Sequence, residues 1–334
     1  MPSCRCSCPY PNFPGRIIAW LCSFNVWYQI FATVYLGFLS EFPTVVNVAV
    51  LVVWNGIWLL TITSLLSAAF TDPVAIDPRY RMPEEFVEVP VEERTKKFFK
   101  RLSRYAVSKP DIQFQMTDHS SREFFYPRYC IPCKIFKPPR AHHCRQCQRC
   151  IPRMDHHCPV IATCVHSHNH KFFLNFLFWA SFLCVYAATL ITRTLFEIVD
   201  LDVEFLIAME QFDLVMWLIT FSGWTNAVIC AIALIGFQIY LWSMLVSNQT
   251  TLESNDNKVK PDYSLGSRVK NIETVMGYNK LLWFVPYQNT PTDGFTYPVA
   301  ASSETNPDDM CECEYETEED SCADDSDNEY AHDV

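Results

Sequence analysis

The stretch Met154–Cys164, MDHHCPVIATC, holds two histidines, two cysteines and an aspartate in eleven residues. Side chains of these types at such spacing either coordinate zinc or activate a thiol. Cys158 directly follows His157, and neighbouring residues seldom reach one ion with good geometry. The wider tract from Tyr129 explains the crowding through a repeat of period fourteen. Cys130, Cys133, His143 and Cys150 recur as Cys144, Cys147, His157 and Cys164, both sets reading C-x2-C-x9-H-x6-C. Each set offers the three thiolates and one imidazole of a closed tetrahedral zinc site. Two structural zinc ions on interleaved sets are therefore expected. His142 is a ligand of the same type beside His143, and only the repeat separates them.

Seven cysteines and the two repeat histidines make nine candidates for eight positions, which leaves Cys158 over. His156 and Asp155 are left over beside it. A thiol, a histidine able to take its proton and a carboxylate to orient the ring are the parts of an activated nucleophile. Zinc then builds the scaffold and offers no open coordination position. Only seven residues separate Cys164 from the apolar block that starts at Phe172, which puts the thiol at a membrane surface. Lys137 and Arg140, with Arg145, Arg149 and Arg153, supply positive charge for a phosphate-bearing carrier.

Four apolar blocks must hold this site: Ile17–Leu39, Val45–Phe70, Phe172–Thr192 and Leu214–Val246. Each reaches the roughly 18–20 residues that cross a bilayer as a helix. The first has no small-residue cleavage site and reads as a retained anchor. Of the 26 Lys and Arg residues, 25 fall in the segments 1–16, 71–171 and 247–334, which assigns these to the cytosol. The net charge of −11 is local, because residues 301–334 carry 14 acidic side chains and no Lys or Arg. That tail reads as solvated and disordered. A basic amphipathic stretch, Glu93–Lys109, aligns Phe98, Leu102 and Tyr105 for packing on the membrane surface or on its own domain. His166, His168 and His170 read as a solvated interfacial turn.

The run C-x2-C…KPPRAHHC-x2-C-x2-C…RMDHHCP…C…N…KFF resembles the DHHC-type protein S-acyltransferases. The resemblance implies an α-helical membrane protein with four transmembrane helices and a cytosolic two-zinc domain between the second and third spans. Its parts would be 1–16, spans in 17–70, the loop 71–171 with the cysteine-rich domain at about 128–171, spans in 172–246, 247–300, and the tail 301–334. Cys158 would take a long-chain acyl group, palmitoyl above all, from acyl-CoA, and pass it to cytosolic cysteines of membrane-associated proteins in a ping-pong reaction. His156 would act as base, oriented by Asp155. Thr250–Glu253 matches the family's Thr-Thr-x-Glu motif, in which Thr251 helps orient that carboxylate, although its spacing is also that of a capping box. Asn271 falls in a segment similar to the family's C-terminal Asn motif.

Golgi, endoplasmic reticulum or plasma membrane would be the location, with both termini cytosolic. Nucleic acid is not expected as a partner, given the spans and the acidic tail. The alternative is a catalytically inactive, zinc-stabilised membrane scaffold. Val74, Val160, Ala162, Thr163 and His166 depart from the family's usual residues, the first from Gly and the others from Trp, Asn, Asn and Gly.

Overall fold

The computed structural model describes residues 43–118, 125–199, 211–255, 262–289 and 291–298. The first apolar block, 17–39, and the acidic tail, 301–334, lie outside the described residues. In chain order the helices are α1 (Thr44–Phe70), α2 (Glu84–Val87), α3 (Lys96–Val107), α4 (His170–Val199), α5 (Gln211–Val246), α6 (Thr251–Asn255) and α7 (Arg268–Met276). Between α3 and α4 run eight short strands: β1 (Met116–Asp118), β2 (Phe125–Pro127), β3 (Tyr129–Cys130), β4 (Ile135–Phe136), β5 (His142–Cys144), β6 (Arg149–Ile151), β7 (His156–Cys158) and β8 (Thr163–Val165).

Among the described residues, α1, α4 and α5 are long and apolar enough to cross a membrane. Helix α1 starts after Pro43, whose missing N–H costs nothing at a helix entrance. Its buried hydroxyls are satisfied within the helix: Thr61 donates to the Ile57 carbonyl at 2.8 Å and Ser64 to Leu60 at 2.6 Å. An apolar solvent offers no other partner. Helix α4 lies between α1 and α5 and is the most buried of the three. One cluster, with Trp54, Leu183, Ala187 and Ala227, joins the three helices. A second, with Leu65, Ala68, Phe172, Phe173, Leu241 and Leu245, includes Cys158, Ile161 and Val165 of the last hairpin.

The strands pair as four antiparallel hairpins with no larger sheet among the described residues. Helix α3 settles the choice left open by its amphipathic pattern. Phe98, Phe99, Leu102 and Ala106 are buried, and the three larger ones pack with Tyr80, Met82, Phe86 and Phe136. Burying each of these rings or Leu102 contributes roughly 1.5–3 kcal/mol. The apolar face thus serves its own domain.

Candidate active site

Three of the hairpins are copies of one another. Tyr129 faces Phe136 across β3–β4, His143 faces Cys150 across β5–β6, and His157 faces Cys164 across β7–β8. Each hairpin turns through a residue in the left-handed region: Lys134 (φ 53°), Gln148 (φ 52°) and Ala162 (φ 50°). The period of fourteen is therefore a repeated knuckle. At Ala162 the left-handed turn costs roughly 1–2 kcal/mol, where the asparagine usual in the resembled family tolerates it better.

Cys130 and Cys133 from the first knuckle meet His143 and Cys150 from the second, and Cys144 and Cys147 from the second meet His157 and Cys164 from the third. In each group the four donor atoms lie within 4.8 Å of one another. His143 Nδ1 is 3.4, 3.3 and 4.0 Å from the sulfurs of Cys130, Cys133 and Cys150. His157 Nδ1 is 3.5, 3.5 and 3.6 Å from those of Cys144, Cys147 and Cys164. Zinc bonds of about 2.3 Å to sulfur and about 2.0–2.1 Å to nitrogen, set tetrahedrally, give N···S edges of about 3.5 Å and S···S edges of about 3.8 Å. Cys147 and Cys164 are 3.6 Å apart, so both donor sets fit zinc.

Cys158 belongs to neither group. It ends β7, is buried, and belongs to the apolar cluster at the helix ends. Burial alone would raise its thiol pKa, but a hydrogen bond with His156 and the amides of Ile161 and Val160 outweigh this and lower it. His156 feels the same contest. Burial would lower its pKa, while its bonds to Asp155 and Cys158 raise it to about 9. Its Nδ1 lies 2.7 Å from Asp155 Oδ2, and the ring meets the edges of Phe173 and Phe237 at 5.3 and 6.2 Å. This arrangement favours a thiolate beside an imidazolium.

Asp155 is held from both sides. Its own N–H donates to the Val165 carbonyl at 2.9 Å, fixing it to the last hairpin. The Thr251 N–H donates to Oδ1 at 2.9 Å, and the Thr251 hydroxyl donates to the Asp155 carbonyl. Burial would raise this carboxyl's pKa, but the His156 bond and nearby positive charge hold it well below the ordinary range. Thr250 and Glu253 do form a capping box: the Thr250 N–H donates to Glu253 Oε2 at 2.8 Å and the Glu253 N–H to Thr250 Oγ1 at 3.2 Å. One short helix thereby binds both buried carboxylates.

Arg140, a residue expected at a carrier phosphate, makes its bonds within the chain. It is 1% exposed; its Nε and Nη2 donate to the two Glu253 oxygens at 2.7 and 2.8 Å. Its Nη1 and Nη2 also donate to the Asn248 Oδ1 and carbonyl, and its guanidinium lies over the rings of Tyr263 and Tyr297 at 4.6 and 5.1 Å. Lys137 is also buried. Arg153 is buried too, 3.0 Å from His170 Nδ1, while Arg145 is exposed and Arg149 half-buried. Asn271 does not touch the thiol; its Nδ2 donates to the Val246 carbonyl at 2.8 Å and its Oδ1 accepts from the Leu265 N–H at 2.8 Å. It fastens α7 to the end of α5.

Two of the three histidines are not solvated, while His168 is half-buried. His166 and His170 are buried; His166 Nε2 lies 3.2 Å from the Thr71 carbonyl beyond α1, and its N–H donates to Asn169 Oδ1 at 2.7 Å. Asn169 Nδ2 in turn donates to the carbonyls of Ala68 and Cys164, both at 2.9 Å. The last hairpin is thus tied to the end of a membrane helix. Nothing in the spacing of these residues identifies that partner, because it lies about a hundred residues earlier in the chain.

Residues 123–258 match the DHHC palmitoyltransferase family model. The chain is 30% identical over 264 residues to "Probable protein S-acyltransferase 14" of Arabidopsis thaliana, covering 78% of this chain and 79% of that one. It is 29% identical over 281 residues to "Palmitoyltransferase ZDHHC15" of Xenopus laevis, covering 77% and 73%. Against the human protein of that name it is 30% identical over 216 residues, covering 59% and 60%. The rat and mouse proteins of the same name are likewise matched over 60% of their length.

Proposed function

Because this chain belongs to the DHHC palmitoyltransferase family, we propose that it is a protein S-acyltransferase working through Cys158. The single observation that carries the reading is the chain Asp155–His156–Cys158, built on a thiol outside both zinc-type clusters and facing the ends of the membrane helices. In the first half-reaction the Cys158 thiolate attacks the thioester carbonyl carbon of a long-chain acyl-CoA, palmitoyl-CoA above all. The bond to coenzyme A sulfur breaks, and the departing thiolate takes the proton held on His156. In the second, His156 takes the proton of an incoming cysteine thiol, whose sulfur attacks the Cys158 thioester. Cys158 then leaves as a thiolate, stabilised again by the imidazolium.

Asp155 keeps the His156 Nδ1–H engaged, so the other ring nitrogen serves the thiols, and Thr251 keeps Asp155 in register with the hairpin. Cys130, Cys133, His143 and Cys150, and Cys144, Cys147, His157 and Cys164, would each hold one zinc ion, which supplies structural cross-linking when bound. The protein partners are membrane-associated proteins with cytosolic cysteines. The full architecture is four spans, including 17–39, with both termini and the cysteine-rich domain in the cytosol of an endomembrane or the plasma membrane. The charge distribution supports this orientation.

Purified full-length protein should take a hydroxylamine-sensitive label from radioactive palmitoyl-CoA and lose it to a peptide thiol. Protein that carries two zinc ions yet takes no label from any long-chain acyl-CoA would instead be the inactive scaffold.

A further inference from the structure

The repeat does not stop at two knuckles. At fourteen-residue spacing Cys130, Cys144 and Cys158 are equivalent, and so are Cys133, Cys147 and Ile161. The strand registers and left-handed turns of the three hairpins agree throughout. In the second knuckle the Cys147 N–H donates to the Cys144 sulfur at 3.4 Å, and in the third the Ile161 amide bonds the Cys158 sulfur in the corresponding way. The third knuckle's turn therefore has the backbone of a metal-binding turn, with one thiol present and the second replaced by a butyl group; His157 and Cys164 serve the second donor group, Lys171 and Phe178 stand fourteen residues after them, and His156 is the donor left beside Cys158. Ile161 is fully buried and, like Cys158, belongs to the apolar cluster with Leu65, Phe173 and Leu241. Where the first two knuckles close on four ligands, this one closes on the ends of membrane helices.

We propose that Ile161 is the positioning residue that keeps Cys158 free, by withholding the second thiol from the turn of the third knuckle. An isoleucine there removes the chelate partner that a backbone of this shape would otherwise present to zinc. The inference rests on Cys158 being the acyl-accepting thiol, but its core concerns metal binding and is measured without turnover.

The test uses full-length protein in reducing buffer, comparing the native chain with Ile161→Cys and Ile161→Ser. Each is given zinc beyond its two structural ions, and alkylation of Cys158 by iodoacetamide is followed by peptide mass spectrometry. In Ile161→Cys, added zinc should slow alkylation of Cys158 by about tenfold once it exceeds its dissociation constant by roughly that factor. A brief chelator pulse should reverse the protection, and acyl labelling should follow it. Ile161→Ser, similar in size but without the thiol, should stay insensitive to zinc, as should the native chain. Equal alkylation of Ile161→Cys with and without zinc, in protein that keeps its two structural ions, overturns the proposal. Should Ile161→Cys lose those ions, Ile161→His supplies a ligand at the same place and is judged by the same criterion. If zinc protects Cys158 in the variant while the native chain takes no acyl label, the functional reading fails and the knuckle stands.

Discussion

Two of the three repeated hairpins carry a pair of cysteines across the turn, and the third carries a cysteine and an isoleucine. The backbones match, so the difference lies in what each turn closes upon. The first two close on four-donor groups with the edge lengths of a zinc tetrahedron. The third closes on the apolar ends of α1, α4 and α5. On the proposed function, a turn whose amides favour a bound thiolate thus serves as a ligand in two hairpins and as a nucleophile in the third. The neighbouring side chains decide which.

The comparison breaks most severely where either donor group loses a ligand. His143→Ala and Cys164→Ser remove donors from different groups, so each should cost one zinc and leave the other site filled. Structural zinc contributes on the order of 10 kcal/mol to folding in isolated finger peptides, an upper bound for a domain also anchored by helices. Metal analysis of each purified variant checks this. Two zinc ions retained in either would refute the assigned grouping.

Next in size is the buried pair that links the repeat to α6. Arg140→Ala leaves Glu253 buried with its charge unpaired, which should cost about 3–5 kcal/mol. Thermal unfolding of the variant measures it, and its zinc content should be unchanged. An unaltered melting temperature would mean that solvent reaches Glu253.

The third hairpin is sharpened by His156→Ala. Loss of a general base typically costs about 10²–10⁴ in rate, and enzyme acylation should slow accordingly with both zinc ions kept. Without the imidazole, burial pushes the Cys158 thiol up, so the thiolate fraction at neutral pH falls. Raising the pH should therefore recover part of the rate. Acylation at the native rate across neutral pH would make His156 a structural residue.

The donor groups and the leftover thiol were readable in the sequence because their spacing is local and repeats. The capping box at Thr250–Glu253 was readable for the same reason. Its partner was not: Glu253 pairs with Arg140, 113 residues earlier, and only the folded chain joins them. Nor does the sequence show that Arg140 and Lys137 are both buried. The amphipathic pattern of α3 fixed which face is apolar but not what covers it. His166 shows the same limit, since its partner is a helix-end carbonyl that carries no side-chain signature.

The central claim is that the turn cysteine of the third hairpin is a nucleophile where those of the others are ligands. Cys158→Ser tests it most directly, by native mass spectrometry after incubation with palmitoyl-CoA. The account predicts two zinc ions on the intact chain and no acyl adduct, against two zinc ions and one adduct for the native protein. A variant that keeps the hydroxylamine-sensitive adduct, or that loses one zinc, contradicts it.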